Sequence, residues 1–255
     1  MKGRLQSQVT PISRLSEAAT LQLFEIFARH YEQVTWVDFK RDLQEKHFVI
    51  LLNDSLTGEP VGFSTQQIIS FRVEGIPLRA IFSGDTIIDR TYWGERELIR
   101  SWCHFAGTVR ATEPQTRLFW FLISKGYRTY LFLPLFYKEF FPRFDALTPS
   151  FEQRIIDTLA ATKYPQFYRP QAGLLEFPQS HGQLTRELAE IPPARRNHPH
   201  VSFFLARNPG YATGSELVCL AEISAHNMKS FAAVCVREGE KIDSLPHAVQ
   251  LNHVA

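Results

Sequence analysis

The sequence predicts an α/β (α+β) fold in which a mixed central sheet is flanked by helices, with an enlarged C-terminal part. Three observations carry this. His47–Asn53, Pro60–Val73 and Leu78–Asp89 are apolar, β-branched runs separated by short turns, the pattern of an antiparallel meander. Segments with apolar residues at helical spacing stand before and after that meander. Arg117–Ser124 is apolar on both faces, as expected of a strand buried inside a sheet.

In chain order, Gln8–Leu15 reads as a first strand. Ser16 is placed to cap a helix reaching Tyr31, with Leu21, Phe24, Ile26 and Phe27 on its apolar side. Thr35–Lys46 repeats the pattern, with Trp36, Phe39 and Leu43 opposite Asp38, Lys40, Arg41, Asp42 and Glu45. Thr57-Gly58 and Glu74-Gly75-Ile76-Pro77 supply the meander's turns. Ala80–Ala106 then reads as strand, tight turn and helix, the turn being Arg90–Arg96 with Gly94 inside it. After the buried strand, the aromatic stretch from Tyr127 reads as a short helix broken at Pro134.

The C-terminal third is expected to hold a helix over Thr148–Thr162 capped by Ser150, an aromatic, proline-broken loop over Tyr164–Pro170, and a strand over Gly173–Phe177. A short helix over His181–Ala189 and a linker over Pro192–Pro199 follow. A hairpin comes next, in which His200–Arg207 and Ser215–Ile223 flank Asn208-Pro209-Gly210-Tyr211, and then a last strand, Ser230–Arg237. The organisation expected is one domain over 1–255, with the core order in 8–145, an insertion over 146–198 and the hairpin and strand over 199–237.

The turn at Gly94 draws attention because a helix opening just after a strand leaves its first N–H groups unpaired and its positive dipole end exposed. An anion fits there. Arg90, Arg96 and Arg100 would add charge-assisted contacts to phosphate, and Gly94 would permit close backbone approach; the plainer reading is an ordinary strand-to-helix connection with solvated arginines.

The order strand, two helices, meander, helix, buried strand, helix resembles the GNAT acyltransferase superfamily. Arg90-Thr91-Tyr92-Trp93-Gly94-Glu95-Arg96 is similar to the loop with which that family holds the pyrophosphate of coenzyme A or the phosphate of carrier-bound phosphopantetheine. Leu135–Phe141 resembles its later helix, with Tyr137 at the tyrosine that protonates the leaving thiolate. The family loop has a second glycine where this chain has Arg96, and a carrier protein, presenting one phosphate, needs less of the loop than free coenzyme A. The resemblance implies a thioester-dependent N-acyltransferase, using acyl-ACP or acyl-CoA as co-substrate and no metal. Its acceptor would be the amine of an amino acid or of a peptide, such as a Lys or ornithine side chain. N-acyl amino acid synthases and the maturases that lipidate ribosomal peptides look similar. The implied binding residues are Arg90, Tyr92, Trp93, Gly94, Glu95, Arg96 and Arg100.

Asp85 is a carboxylate inside an apolar strand, where burial raises its pKa towards that of a useful base. Ser83 is a donor to substrate, and His104, on the central helix, is a second base candidate. Each has a plainer role open to it: Asp85 hydrogen-bonding a neighbouring turn or lying at a bulge made by Gly84, Ser83 against a neighbouring strand, His104 packed or solvated, and Tyr137 packed in an aromatic helix. Aromatics make up 13% of the chain, with 21 Phe. Phe119–Phe144 with Phe63, Phe71 and Phe82 would line a channel for a medium or long fatty chain, or simply form the core. A catalytically idle module of the same fold, binding an acyl carrier or peptide, is the alternative.

A formal charge of +2 gives no basic field suited to nucleic acid, even with Arg195 and Arg196 adjacent. Cys103, Cys219 and Cys235 stand far apart, without metal-ligand spacing, and read as buried thiols of a reducing compartment. The first twenty residues lack a signal-peptide core, and no stretch reaches the length of a membrane span, so a cytoplasmic location is expected.

Overall fold

Capping sets the first helices. The Ser16 hydroxyl accepts from the Ala19 N–H and opens α1 (Glu17–Ala28), and the Thr35 hydroxyl accepts from Asp38 N–H to open α2 (Trp36–Gln44). The computed structural model describes residues 2–177, 183–185, 190–242 and 245. Before α1 lies β1 (Leu5–Pro11), and between the two helices β2 (Tyr31–Glu32). The meander is β3 (Phe48–Asp54), β4 (Pro60–Val73) and β5 (Ile76–Ile88). It is followed by α3 (Glu97–Thr112), β6 (Leu118–Ser124), α4 (Tyr127–Tyr130), α5 (Phe132–Phe136) and α6 (Ser150–Lys163).

The rest comprises β7 (Tyr168–Arg169), β8 (Leu174–Leu175), β9 (Gln183–Leu184), α7 (Pro193–Arg196), α8 (Pro199–Arg207), β10 (Glu216–Glu222) and α9 (Ser230–Gly239). Eight strands form one mixed sheet in the order β1-β3-β4-β5-β6-β10-β8-β7, while β2 and β9 pair separately. Neighbours run antiparallel except β5 and β6, which are parallel and joined by α3 as a crossover. Alternate β6 residues separate the two faces. Leu118, Trp120 and Leu122 pack with α3, α8 and α9; Phe119 and Phe121 pack with α6. On that second face α1 and α2 close over Val49, Phe63 and Ile87.

Two irregularities at the sheet centre position the site. Ser64 stands opposite Thr86 and Gln66 opposite Ser83, so Gly84 and Asp85 together face Thr65 alone, a β-bulge in β5. The β5–β6 ladder ends at the Ser83–Leu122 pair, although β5 runs on to Ile88 against β4. Beyond that pair the two strands part, and the β6-facing edge of Gly84–Ile88 has no ladder.

The C-terminal third departs from the expectations. His200–Arg207 is not a hairpin strand but the body of α8. Pro199 sits at its first position, where a missing N–H costs nothing, and Val201 and Phe204 share its buried face. Ser230–Arg237 is α9, with Ala232, Ala233, Cys235 and Val236 buried at helical spacing. Pro193–Arg196, expected within a linker, forms α7. Pro149, not Ser150, is the N-cap of α6. The helix over His181–Ala189 falls mostly outside the described residues, and Gln183–Leu184 within it is a strand.

Candidate active site

The bulge points into a cleft of about 910 Å³ on the α1–α2–α6 face. Its walls are the ends of α2 and α6, the parting ends of β5 and β6, and Glu216 at the start of β10; Asp85 lies at the bulge. An added Cβ on Gly84 would lie 2.6 Å from Thr65 Oγ1 and 2.9 Å from Lys46 Cε, so a side chain there would crowd Thr65 and the Lys46 stem.

The cleft is lined by charge. Lys46 Nζ is 2.7 Å from Asp42, Lys163 Nζ is 3.2 Å from Glu45, Lys125 Nζ is 3.2 Å from Glu216, and Arg41 pairs with Asp38. Each of these lining cations therefore has an acid partner, and among the described acids that line the cleft Asp85 is the one left without an ion pair or hydrogen bond. Asp85 keeps part of its surface open to the cleft, but the surrounding walls desolvate it and push its carboxyl up to about 7. The Asp42 charge adds to that rise, and Lys46 and Lys125 oppose it. Burial and the neighbouring Lys46 lower the pKa of Lys163, and burial holds the Tyr31 hydroxyl protonated.

Behind the bulge lies a closed polar network. The Ser83 hydroxyl donates to Gln66 Oε1 (2.8 Å) and accepts from the Trp120 and Trp102 indoles (2.9 and 3.2 Å), and Gln66 Nε2 donates to Ser64 (2.7 Å). Ser83 is thus fully engaged and does not serve as a donor to substrate; it fixes β4, β5, β6 and α3 relative to one another at the bulge. Gln66, wholly buried, is the partner that the sequence reading missed.

Tyr137 does not sit on a helix. The helical stretch ends at Phe136, and Tyr137 adopts extended backbone, bridging Met228. Its ring centroid is 5.9 Å from that of Trp120, on the face of the sheet opposite the cleft, and its buried hydroxyl has no partner. His104 also lies away from Asp85, its Nε2 3.0 Å from Glu238 of α9.

The Gly94 loop divides. Tyr92 is buried and its hydroxyl donates to Asp54, while Glu95 accepts from the Leu5 N–H (2.8 Å) and pairs with Lys2 (3.0 Å). Both fasten the loop to β3 and to the start of the chain, and their polar groups are taken up within the fold. Arg90, Trp93, Gly94, Arg96 and Arg100 remain on the surface, Gly94 with a φ of 92° and open space above it. Arg90 and Arg128 stack on Trp93 at 5.3 and 4.8 Å, Arg96 lies over Phe231, and Arg100 is held by Glu97 at 2.8 Å.

The expected channel is mostly core. Phe63 and Phe71 are packed away in their clusters, as are Phe119, Phe121, Phe136 and Phe140, and of these aromatics only Phe82 reaches the cleft. Among the described residues no helix is long and apolar enough to cross a membrane.

No family model matches the chain, and no curated protein does. Solved structures do. A GNAT-family N-acetyltransferase of Escherichia coli in complex with CoA is 16% identical over 48% of this chain and 63% of its own, with a TM-score of 0.34. A protein of Enterococcus faecalis described as a probable N-acyltransferase is 10% identical over 49% of this chain and 31% of its own, TM-score 0.37. The N-myristoyltransferase of Saccharomyces cerevisiae with bound myristoyl-CoA is 12% identical over 47% of this chain and 31% of its own, TM-score 0.34. The chain spans less than two thirds of each of these three, and the chemistry has to be argued from the site.

Proposed function

We propose that the protein is a GNAT-like N-acyltransferase that moves an acyl group from a thioester to an amine, with Asp85 as the base. The observation that carries this is the bulge: where β5 parts from β6, it presents a carboxylate without a partner, poised near neutrality, to a cleft whose cations are all paired. An incoming ammonium supplies the missing counter-charge. Asp85 then takes its proton, leaving the neutral amine to attack the thioester carbonyl. The unladdered edge of Gly84–Ile88 offers backbone groups to the acyl arm, which would reach the cleft through the gap between the strands.

The thioester donor is acyl-CoA or an acyl carrier protein. Its phosphate is placed at the Gly94 loop, which begins two residues beyond the end of that free edge. Arg90, Arg96 and Arg100 supply charge and the Gly94 backbone allows close approach. Tyr137, whose buried hydroxyl has no hydrogen-bond partner, is assigned to the departing thiolate. A fatty acyl chain and an amino acid or peptide amine are the finer reading.

The test is intact-mass spectrometry of amine acceptors after incubation with acyl-CoA and acyl-carrier thioesters of short and long chain. Acceptor mass gain that depends on the protein is the expected result. Binding of a thioester with no transfer to any amine would instead identify an idle module. Equal transfer from acetyl and decanoyl donors would remove the fatty-chain preference.

A further inference from the structure

Helices α3 and α9 touch backbone to backbone. A Cβ added to Gly107 would lie 2.0 Å from Val236 O, and one added to Gly239 would lie 2.1 Å from His104 O, so the two glycines permit the contact. This brings together donors that are far apart in sequence. His104, one turn before Gly107, faces Cys235 and Glu238, which are one turn apart on α9. The His ring nitrogen, the Cys235 sulfur and a Glu238 oxygen all lie within 4.8 Å of one another.

We propose that His104, Cys235 and Glu238 form a zinc-class divalent metal site that staples α9 to α3. A tetrahedral zinc with bonds of about 2.0–2.1 Å to nitrogen and oxygen and about 2.3 Å to sulfur needs ligand atoms about 3.3–3.7 Å apart. His104 Nε2 and Glu238 Oε2 are already 3.0 Å apart, and the sulfur needs at most a small approach. One neutral imidazole, one thiolate and one carboxylate balance the two charges of the cation, and water takes the fourth position.

Access and depth fit this assignment. The Glu238 side chain is 55% exposed and that of His104 27%, so the ion enters from solvent, while Cys235 is buried beneath them. The nearby Arg100 guanidinium is held by Glu97. Binding releases the Cys235 thiol proton to solvent and leaves the imidazole neutral, with no change in oxidation state. Sequence spacing conceals the site because its ligands come from helices more than a hundred residues apart, and only their packing assembles it.

The test uses the full chain stripped of metal and titrated with Co(II), then with Zn(II). Co(II) is expected to give a thiolate charge-transfer band saturating at one equivalent and displaced by Zn(II), and Zn(II) to raise Tm. The band should vanish in Cys235→Ser and persist in Cys103→Ser. His104→Ala and Glu238→Gln should each weaken binding at least tenfold. Glu238 is exposed, so Glu238→Gln keeps the test usable if Cys235→Ser does not fold. The absence of a band, a band surviving in Cys235→Ser, or affinity unchanged in both His104→Ala and Glu238→Gln would overturn the assignment.

Discussion

Replacing Asp85 by Asn should make the protein a worse catalyst and a more stable fold, and the second effect should depend on pH. A carboxyl moved from its ordinary 3.8 to about 7 is disfavoured in its charged form by up to about 4 kcal/mol. Because the folded pKa lies above the unfolded one, the unfolded chain loses this proton first. The cost to stability is therefore absent below about pH 4, grows between 4 and 7, and is fully present above 7. Asn, which never ionises, carries none of it. Urea denaturation at pH 8 should show the variant more stable by up to about 4 kcal/mol, with cleft water reducing that figure, and the two proteins should converge at pH 4. Acyl transfer, followed as thiol released from the donor, should fall by about 10²–10⁴-fold, and the wild-type rate should rise with pH through about 7. Undiminished turnover would remove Asp85 from the chemistry. A stability difference independent of pH would refute the buried-charge argument itself.

Three other outcomes follow from the geometry. Ser83→Ala leaves two indole N–H groups and the Gln66 carbonyl without their shared partner; a loss of about 1–3 kcal/mol, read from the shift in denaturation midpoint, is expected. The pair Arg90→Ala and Arg96→Ala should raise KM for the thioester at least tenfold while kcat for bound donor holds, and the gap should narrow as salt rises. Tyr137→Phe removes only a hydroxyl that has no hydrogen bond in the fold, so Tm should not fall; a lower kcat with unchanged KM would place that hydroxyl at the leaving thiolate, and unchanged kcat would exclude it.

Much of the first half of the fold is legible in the sequence because local rules decide it. Ser16 caps, Thr57-Gly58 turns, and Pro60–Val73 alternates, and the strand so read has those bounds in the structure. The C-terminal third follows tertiary packing instead. Phe203, Phe204 and the valines of α9 have strand-like propensity, yet only a helix turns Val201 with Phe204, and Ala232 with Cys235 and Val236, onto one buried face. Asp85 was legible as a carboxylate out of place in an apolar strand. Its surroundings were not, since Lys46, Lys125, Lys163 and Glu216 come from four separate stretches of the chain that meet only when the sheet is assembled. Of the two roles open to Ser83, the contact with neighbouring elements is the one seen, since its hydroxyl donates to Gln66 of β4 and accepts from the indoles of α3 and β6.

The extra residue in β5 shifts the strand by half of its two-residue repeat. Before it, Ala80 and Phe82 look towards α6 and Ile81 towards α3; after it, Ile87 has crossed to the α1–α2 side and Ile88 to the other. Even numbers face one layer upstream, odd numbers downstream. A one-residue insertion would ordinarily turn the rest of a strand inside out, but here the apolar residues are written in opposite parity on the two sides of Gly84. The primary structure thus contains a phase slip at the position where the two strands separate, and the opening of the cleft is encoded as a break in rhythm instead of as a motif.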